Sequence, residues 1–195
     1  MKTQPMLRRC ALHSFLLALS LLGTTACRHN GKDPQRLAAE AQALFERTTK
    51  EFHSPSAAAN GAEKRRLETE TIRGYEQLLK RYPEQEYWCA EALRSLGNVH
   101  AAQTNVDAAL KCWSKVVADY PRQDWEVLMA LKSCGDLLWD ANRRDEAKRY
   151  YQELVGRFDR TNTAAVVRTI VRGSKHKLQH SQDAQQVRGG DAALS

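Results

Sequence analysis

The chain has 195 residues, 30 Lys and Arg against 23 Asp and Glu, a formal net charge of +7, and only 7% aromatic residues. That length holds one modest domain, and its richness in Ala, Leu, Glu, Lys and Arg favours helix because these side chains lose little rotamer freedom there. The positive excess is too modest to be the footprint of a nucleic-acid-binding protein.

The first 26 residues are not fold. Lys2, Arg8 and Arg9 form a basic start, Ala11 to Leu22 is a short apolar run, and Gly23-Thr24-Thr25-Ala26 precedes Cys27. This is the layout of a secretory signal peptide over 1–26, and its apolar run is shorter than the ~20 residues a spanning helix needs. Removing its three cations from +7 leaves +4 on the mature side chains. Thr25-Ala26-Cys27 resembles the lipobox of bacterial lipoproteins, with Thr24 where Leu is usual. That resemblance implies palmitate-type lipid on Cys27 and a tether over 27–32. Arg28 after the Cys implies the outer membrane, with the protein facing the periplasm. The alternative is ordinary cleavage after Ala26, which leaves an unmodified Cys27 and a soluble periplasmic protein. An acyl chain anchors a protein without any spanning helix.

Asp33-Pro34 starts the first helix, with Asp as N-cap and Pro where the missing N–H costs nothing. Leu37, Ala38, Ala41, Leu44 and Phe45 continue it at helical spacing to about Glu51. His53 to Gly61, with Ser-Pro-Ser and Asn-Gly, breaks it. A second helix runs from about Ala62 to Arg81, its apolar face carried by Leu67, Ile72, Tyr75, Leu78 and Leu79. Further helices are expected over about 86–102, 106–119, 124–141, 144–158 and 164–178, and residues 181–195 are polar enough to fray.

Part of this pattern is written twice. Pro83 and Pro121, Gly97 and Gly135, Ala109 and Ala147, and Trp113 and Tyr151 are each 38 residues apart. A fixed period in this range signals stacked helical units, none of which buries its apolar face alone. Gly97 and Gly135 fall inside helices, where Gly costs up to ~1 kcal/mol against Ala, so close helix approach is the expected reason. Ala109 and Ala147 are then the small partners, and Trp113 and Tyr151 the large plugs. Asp107 and Asp145 recur at equivalent places and are expected to cap the second helices.

The array resembles tetratricopeptide repeats, whose helix pairs carry Leu-Gly in the first helix, Ala and a bulky aromatic in the second, and Pro at the exit. Leu93, Leu96, Gly97, Ala109, Trp113 and Pro121 fill those places in one unit; Leu131, Cys134, Gly135, Ala147 and Tyr151 fill them in the next, with Asp159 replacing the Pro. The implied fold is all-α: stacked antiparallel helix pairs forming an α-solenoid. A divergent pair spans 33–82, repeat units span 83–121 and 122–160, a capping helix spans 161–180, and a disordered tail spans 181–195. The period exceeds the usual ~34 residues. Tyr-Pro exits and stretched turns resemble repeat proteins of the Gram-negative envelope, among them the repeat lipoprotein of the β-barrel assembly machinery and the periplasmic repeat protein of the Tol–Pal system.

No Gly-rich phosphate loop, HExxH or GxSxG occurs, the histidines are scattered, and no cysteines have metal-ligand spacing. Neither an enzyme, a metal site nor a cofactor is expected. Cys89, Cys112 and Cys134 allow one disulfide at most, with Cys112–Cys134 the pairing to consider, and Cys134 stands where the sister unit has core Leu96. By the resemblance, function lies in the groove formed by the first helices: Glu91, Arg94, Asn98 and Ala102 in one unit, and Met129, Lys132, Asp136, Trp139 and Asp140 in the next. Arg94 and Asn98 suit a carboxylate or the backbone of an extended peptide, and Trp139 suits an exposed aromatic anchor. The competing reading is a solvated face with Trp139 packed on the following helix. Arg168, Arg172, Lys175, His176 and Lys177 form a second surface, either the solvated face of the last helix or a contact for anionic lipid headgroups. The expected function is a protein-binding scaffold of the envelope whose partner is an envelope protein or an extended peptide segment; the rival is a self-associating accessory protein.

Overall fold

In the computed structural model of the chain, residues 33–192 are described, with side chains through residue 180. The signal-peptide residues, Cys27 and the tether lie outside the described residues, as do 193–195. The described residues form an all-α helical repeat. Among them no helix is long and apolar enough to cross a membrane.

Helix α1 (Pro34–Thr48) begins as expected, the Asp33 carboxylate accepting from the Gln35 N–H at 3.1 Å. It buries Ala41, Leu44 and Phe45. The chain then stays helical beyond the expected end. Thr49–His53 forms one widened π turn and Ser54–Ser56 a last tight turn. The widening aims Thr49 and His53 together at the hydroxyl of buried Tyr75, at 2.8 and 2.9 Å. Burial, then the nearby Arg94 charge, holds His53 below the ordinary histidine range. Helix α2 (Gly61–Arg81) returns along α1, burying Leu67, Tyr75 and Leu78.

Two like units follow: α3 (Glu86–Ala102) with α4 (Val106–Asp119), and α5 (Asp124–Asp140) with α6 (Arg144–Phe158). Each helix packs on the next, and α3 also touches α5. Short inner turns make each pair antiparallel. The two interior glycines are where the helices come closest. A Cβ on Gly97 would overlap the Trp113 indole, and one on Gly135 would overlap the Tyr151 ring. The plugs are 3% and 1% exposed, and Ala109 and Ala147 are wholly buried beside them. Their polar ends are held differently: Trp113 Nε1 donates to the Arg94 carbonyl at 3.1 Å, and the Tyr151 hydroxyl donates to Asp136 at 2.7 Å. Gly74 repeats the device between α2 and α1, where a Cβ would strike Thr48.

The inner turns contain a feature the composition hides. Thr104 and Asn142, again 38 apart, both sit at φ +59°. The next N–H in each turn reaches back to a helix carbonyl, Asn105 to His100 at 2.9 Å and Arg143 to Leu138 at 2.8 Å. This closes the helix with a left-handed residue. Asn tolerates that conformation, but a β-branched Thr is strained there. Thr104→Asn is therefore expected to stabilise the protein by about 1 kcal/mol, seen as a higher denaturant midpoint at unchanged slope.

The capping roles expected of Asp107 and Asp145 are corrected. Asn105 caps α4, its side chain accepting from the Ala108 N–H at 3.2 Å, and Asp107 sits exposed within the first turn. Asp145 likewise lies in the first turn of α6 and is not its cap. Both carboxylates face the positive end of the helix dipole, a weaker stabilisation that the same spacing allows. Cys89, Cys112 and Cys134 are free thiols, so no Cys112–Cys134 disulfide is formed. Burial pushes the Cys134 thiol up to about 12, which makes it an unreactive core residue.

Helix α7 (Ala165–Ala192) closes the array against α6. It buries a narrow stripe through Val171 and Ser174. Its backbone continues as helix to Ala192, where fraying was expected after 180.

Candidate functional site

The outward faces of α3 and α5 carry the candidate groove residues, with Arg94, Asn98, Lys132, Asp136 and Trp139 all partly exposed. They fall into two groups. The first centres on Arg94, which pairs with Glu126 of α5 and lies 4.0 Å from Glu91 of its own helix. The Glu126 side chain is 3% exposed, so this ion pair is a buried clamp between the units. Burial, then repulsion from Glu126, raises Glu91 above the usual carboxylate range. The Asn98 side chain, one turn along, makes no hydrogen bond among the described residues.

The second group centres on Asp136. Its carboxylate accepts from Lys132 at 2.5 Å, from Lys177 at 2.7 Å and from Tyr151 at 2.7 Å. Burial alone would raise its pKa, but these three donors hold Asp136 below the ordinary range. A cleft of about 270 Å³ opens here between α5 and α7, lined by Lys132, Asp136, Tyr151, Ile170 and Lys177 among others.

Trp139 is not the projecting anchor expected of it. Its ring lies edge-on to Tyr151 at 6.2 Å, the Arg144 guanidinium covers it at 4.2 Å, and it packs against the buried Leu138–Tyr151 cluster. Of the two readings open in the sequence, its placement matches packing on the following helix. The aromatic shielding comes from Arg144 at the start of α6, a residue the repeat pattern does not single out.

The exposed aromatic residues are elsewhere on the same face. Tyr87 is 50% exposed and Trp125 is 46% exposed. They are 38 residues apart, at the second position of α3 and of α5. Along each helix they share a face with the groove residues, since Tyr87, Glu91, Arg94 and Asn98, like Trp125, Met129, Lys132 and Asp136, follow i, i+4, i+7, i+11. Tyr87 rests edge-on against Trp88 at 4.8 Å. Trp125 borders an apolar cleft of about 230 Å³ shared with Leu128, Phe158 and Val167. The 38-residue offset between Tyr87 and Trp125 was the signal for this pair, and its position at a polar register of two otherwise regular helices marked it as surplus to stacking.

Neither a protein-family model nor a curated protein matches the sequence. Among the described residues no group of three or more His, Cys, Asp or Glu side chains is placed to hold a metal ion.

Proposed function

We propose that this chain is a non-enzymatic scaffold of the bacterial envelope, a tetratricopeptide-like array that holds an extended segment of a protein partner across the exposed faces of α3 and α5. The observation that carries this reading is the pair Tyr87 and Trp125, two half-exposed aromatic rings in register on consecutive units. A folded chain of this size gains nothing in stability from leaving both in water, whereas exposed aromatic residues beside polar groups are favoured anchors for a partner. Asn98 and the outer edge of the Asp136 cluster supply hydrogen-bonding groups along the same line.

The order of basic start, apolar run and Thr25-Ala26-Cys27 supports attachment of the mature chain through lipid on Cys27, at the periplasmic face of the outer membrane. Metabolic palmitate labelling of wild type and Cys27→Ser tests the anchor, and equal label in both excludes it.

The groove is tested by cross-linking the chain in intact envelopes, identifying the stoichiometric partner and measuring its affinity for purified variants. Tyr87→Ala with Trp125→Ala is expected to weaken binding at least ~30-fold, the effect of losing one hot-spot side chain or more, with helicity unchanged. Unaltered affinity in the double variant overturns the groove. Recovery of self-oligomers alone favours a self-associating accessory protein.

A further inference from the structure

We propose that the corner between α6 and α7 is a binding site for a phosphate group. The two earlier corners of the array are alike. Residues 82–85 and 120–123 each join two helices with four residues, and each closes on the same bond, Gln85 N–H to Tyr82 carbonyl and Gln123 N–H to Tyr120 carbonyl, both at 3.0 Å. The third corner breaks the pattern. It spans 159–164, two residues more, and turns instead on the Arg160 N–H, which donates to the Phe158 carbonyl at 2.9 Å.

The change unpairs a cation. At the second corner Arg122 is neutralised by Glu86 of the preceding first helix, at 2.7 Å. Advancing both by the 38-residue period gives Arg160 and Asp124. These two share the edge of one cleft, yet no ion pair joins them among the described residues. Arg160 also lines a second cleft of about 340 Å³, whose other polar walls are Asp159, Thr161, Thr163, Arg168, Arg172 and Lys175. One carboxylate, Asp159, accompanies these four cations, and it is taken by Lys175 at 2.6 Å. Arg168 donates to the Thr163 carbonyl, which holds its guanidinium at the mouth without neutralising it. Arg160 and Arg172 have no ion-pair partner among the described residues.

Arg160, Arg168 and Arg172, left without a carboxylate, repel one another, and stacking of the helices does not require them there. A tetrahedral anion relieves that repulsion and matches the paired N–H donors of guanidinium groups, while the threonine hydroxyls can donate to its remaining oxygens. Lys177, in the same basic run of sequence, does not contribute, because it points to Asp136 and Tyr151.

The phosphate can belong to an anionic lipid headgroup or to a soluble phosphate compound, and two measurements separate them. In the first, the full chain is sedimented with vesicles of phosphatidylcholine alone and with vesicles one-third phosphatidylglycerol, so that the apolar contribution of the N-terminal run cancels and that of Lys2, Arg8 and Arg9 is common to every variant. Each arginine near an anionic surface contributes about fivefold in partitioning. Arg160→Gln with Arg172→Gln is thus expected to reduce the phosphatidylglycerol increment about 25-fold. Arg65→Gln with Lys111→Gln, which removes the same charge from exposed positions elsewhere, should leave most of it. In the second, inorganic phosphate is titrated while the backbone amides of residues 160–172 are followed by NMR. A phosphatidylglycerol increment specific to the corner assigns a lipid headgroup. A saturable shift lost in the Arg160/Arg172 variant, without that increment, assigns a soluble phosphate. Loss of the increment to the same extent in the Arg65/Lys111 control together with no saturable shift, or no response in either measurement, overturns the site.

Discussion

Replacing Gly97 with alanine is expected to cost about 3 kcal/mol of stability, read from the denaturant midpoint, although alanine is the better helix former. Propensity alone predicts a gain of up to ~1 kcal/mol. The added Cβ would overlap the Trp113 indole, which is 3% exposed and pinned by its bond to the Arg94 carbonyl, so the ring cannot swing aside without losing that bond and its packing. The helices must separate instead. Gly156→Ala and Gly173→Ala provide the contrast. Both glycines are helical, a Cβ at either meets nothing within 4 Å, and each change should stabilise by a few tenths to ~1 kcal/mol. If Gly97→Ala behaved like these two, Trp113 would not be the plug that sets the spacing of α3 and α4. Shrinking the plug tests the same point from the other side: Trp113→Leu with Gly97→Ala should be less damaging than the sum of the two single changes.

Glu126→Ala is expected to destabilise the protein by about 3 kcal/mol. Glu126 is nearly inaccessible and its partner Arg94 is 20% exposed, so removing the carboxylate strands a largely desolvated guanidinium between the two units. Glu91, at 4.0 Å from Arg94, can take up part of the charge, which keeps the loss below the largest values for buried pairs. The double variant Arg94→Met with Glu126→Leu should recover most of the stability, because two apolar side chains avoid the desolvation that the ions suffer. A double-mutant cycle in chemical denaturation measures the coupling. A coupling energy near zero would show that the pair is a solvated contact and not a clamp. If the double variant is stable yet binds the envelope partner less well, Arg94 and Glu126 position the groove as well as join the units.

Much of this arrangement was legible in the sequence. Helix boundaries from Glu86 to Phe158 follow from apolar spacing and from the Tyr-Pro exits, because local pattern and backbone preference agree there. The pairings of Gly97 with Trp113 and Gly135 with Tyr151 follow from their common 38-residue offset. The first pair was less legible, since a π turn arises where one extra residue is taken into a helix, and no composition marks Thr49–His53 for that. Thr104 at positive φ was hidden for a related reason: the helix-closing hydrogen bonds impose the conformation against the residue's own preference.

By itself the sequence determined the repeat, its period, the small and large residues that seat one helix on another, and the all-α class, since each rests on contacts within one unit or between neighbours in the chain. Only the tertiary structure decided which surface residues remain available. Lys177 reaches Asp136 from a helix 41 residues away, Arg144 covers Trp139, and Glu126 takes Arg94. These pairings join different helices at no repeated offset, so periodicity carries no information about them. At the longer third corner Arg160 makes no ion pair with Asp124, the acid that its position in the repeat predicts, and the turn closes on a different hydrogen bond while the core beneath continues to stack.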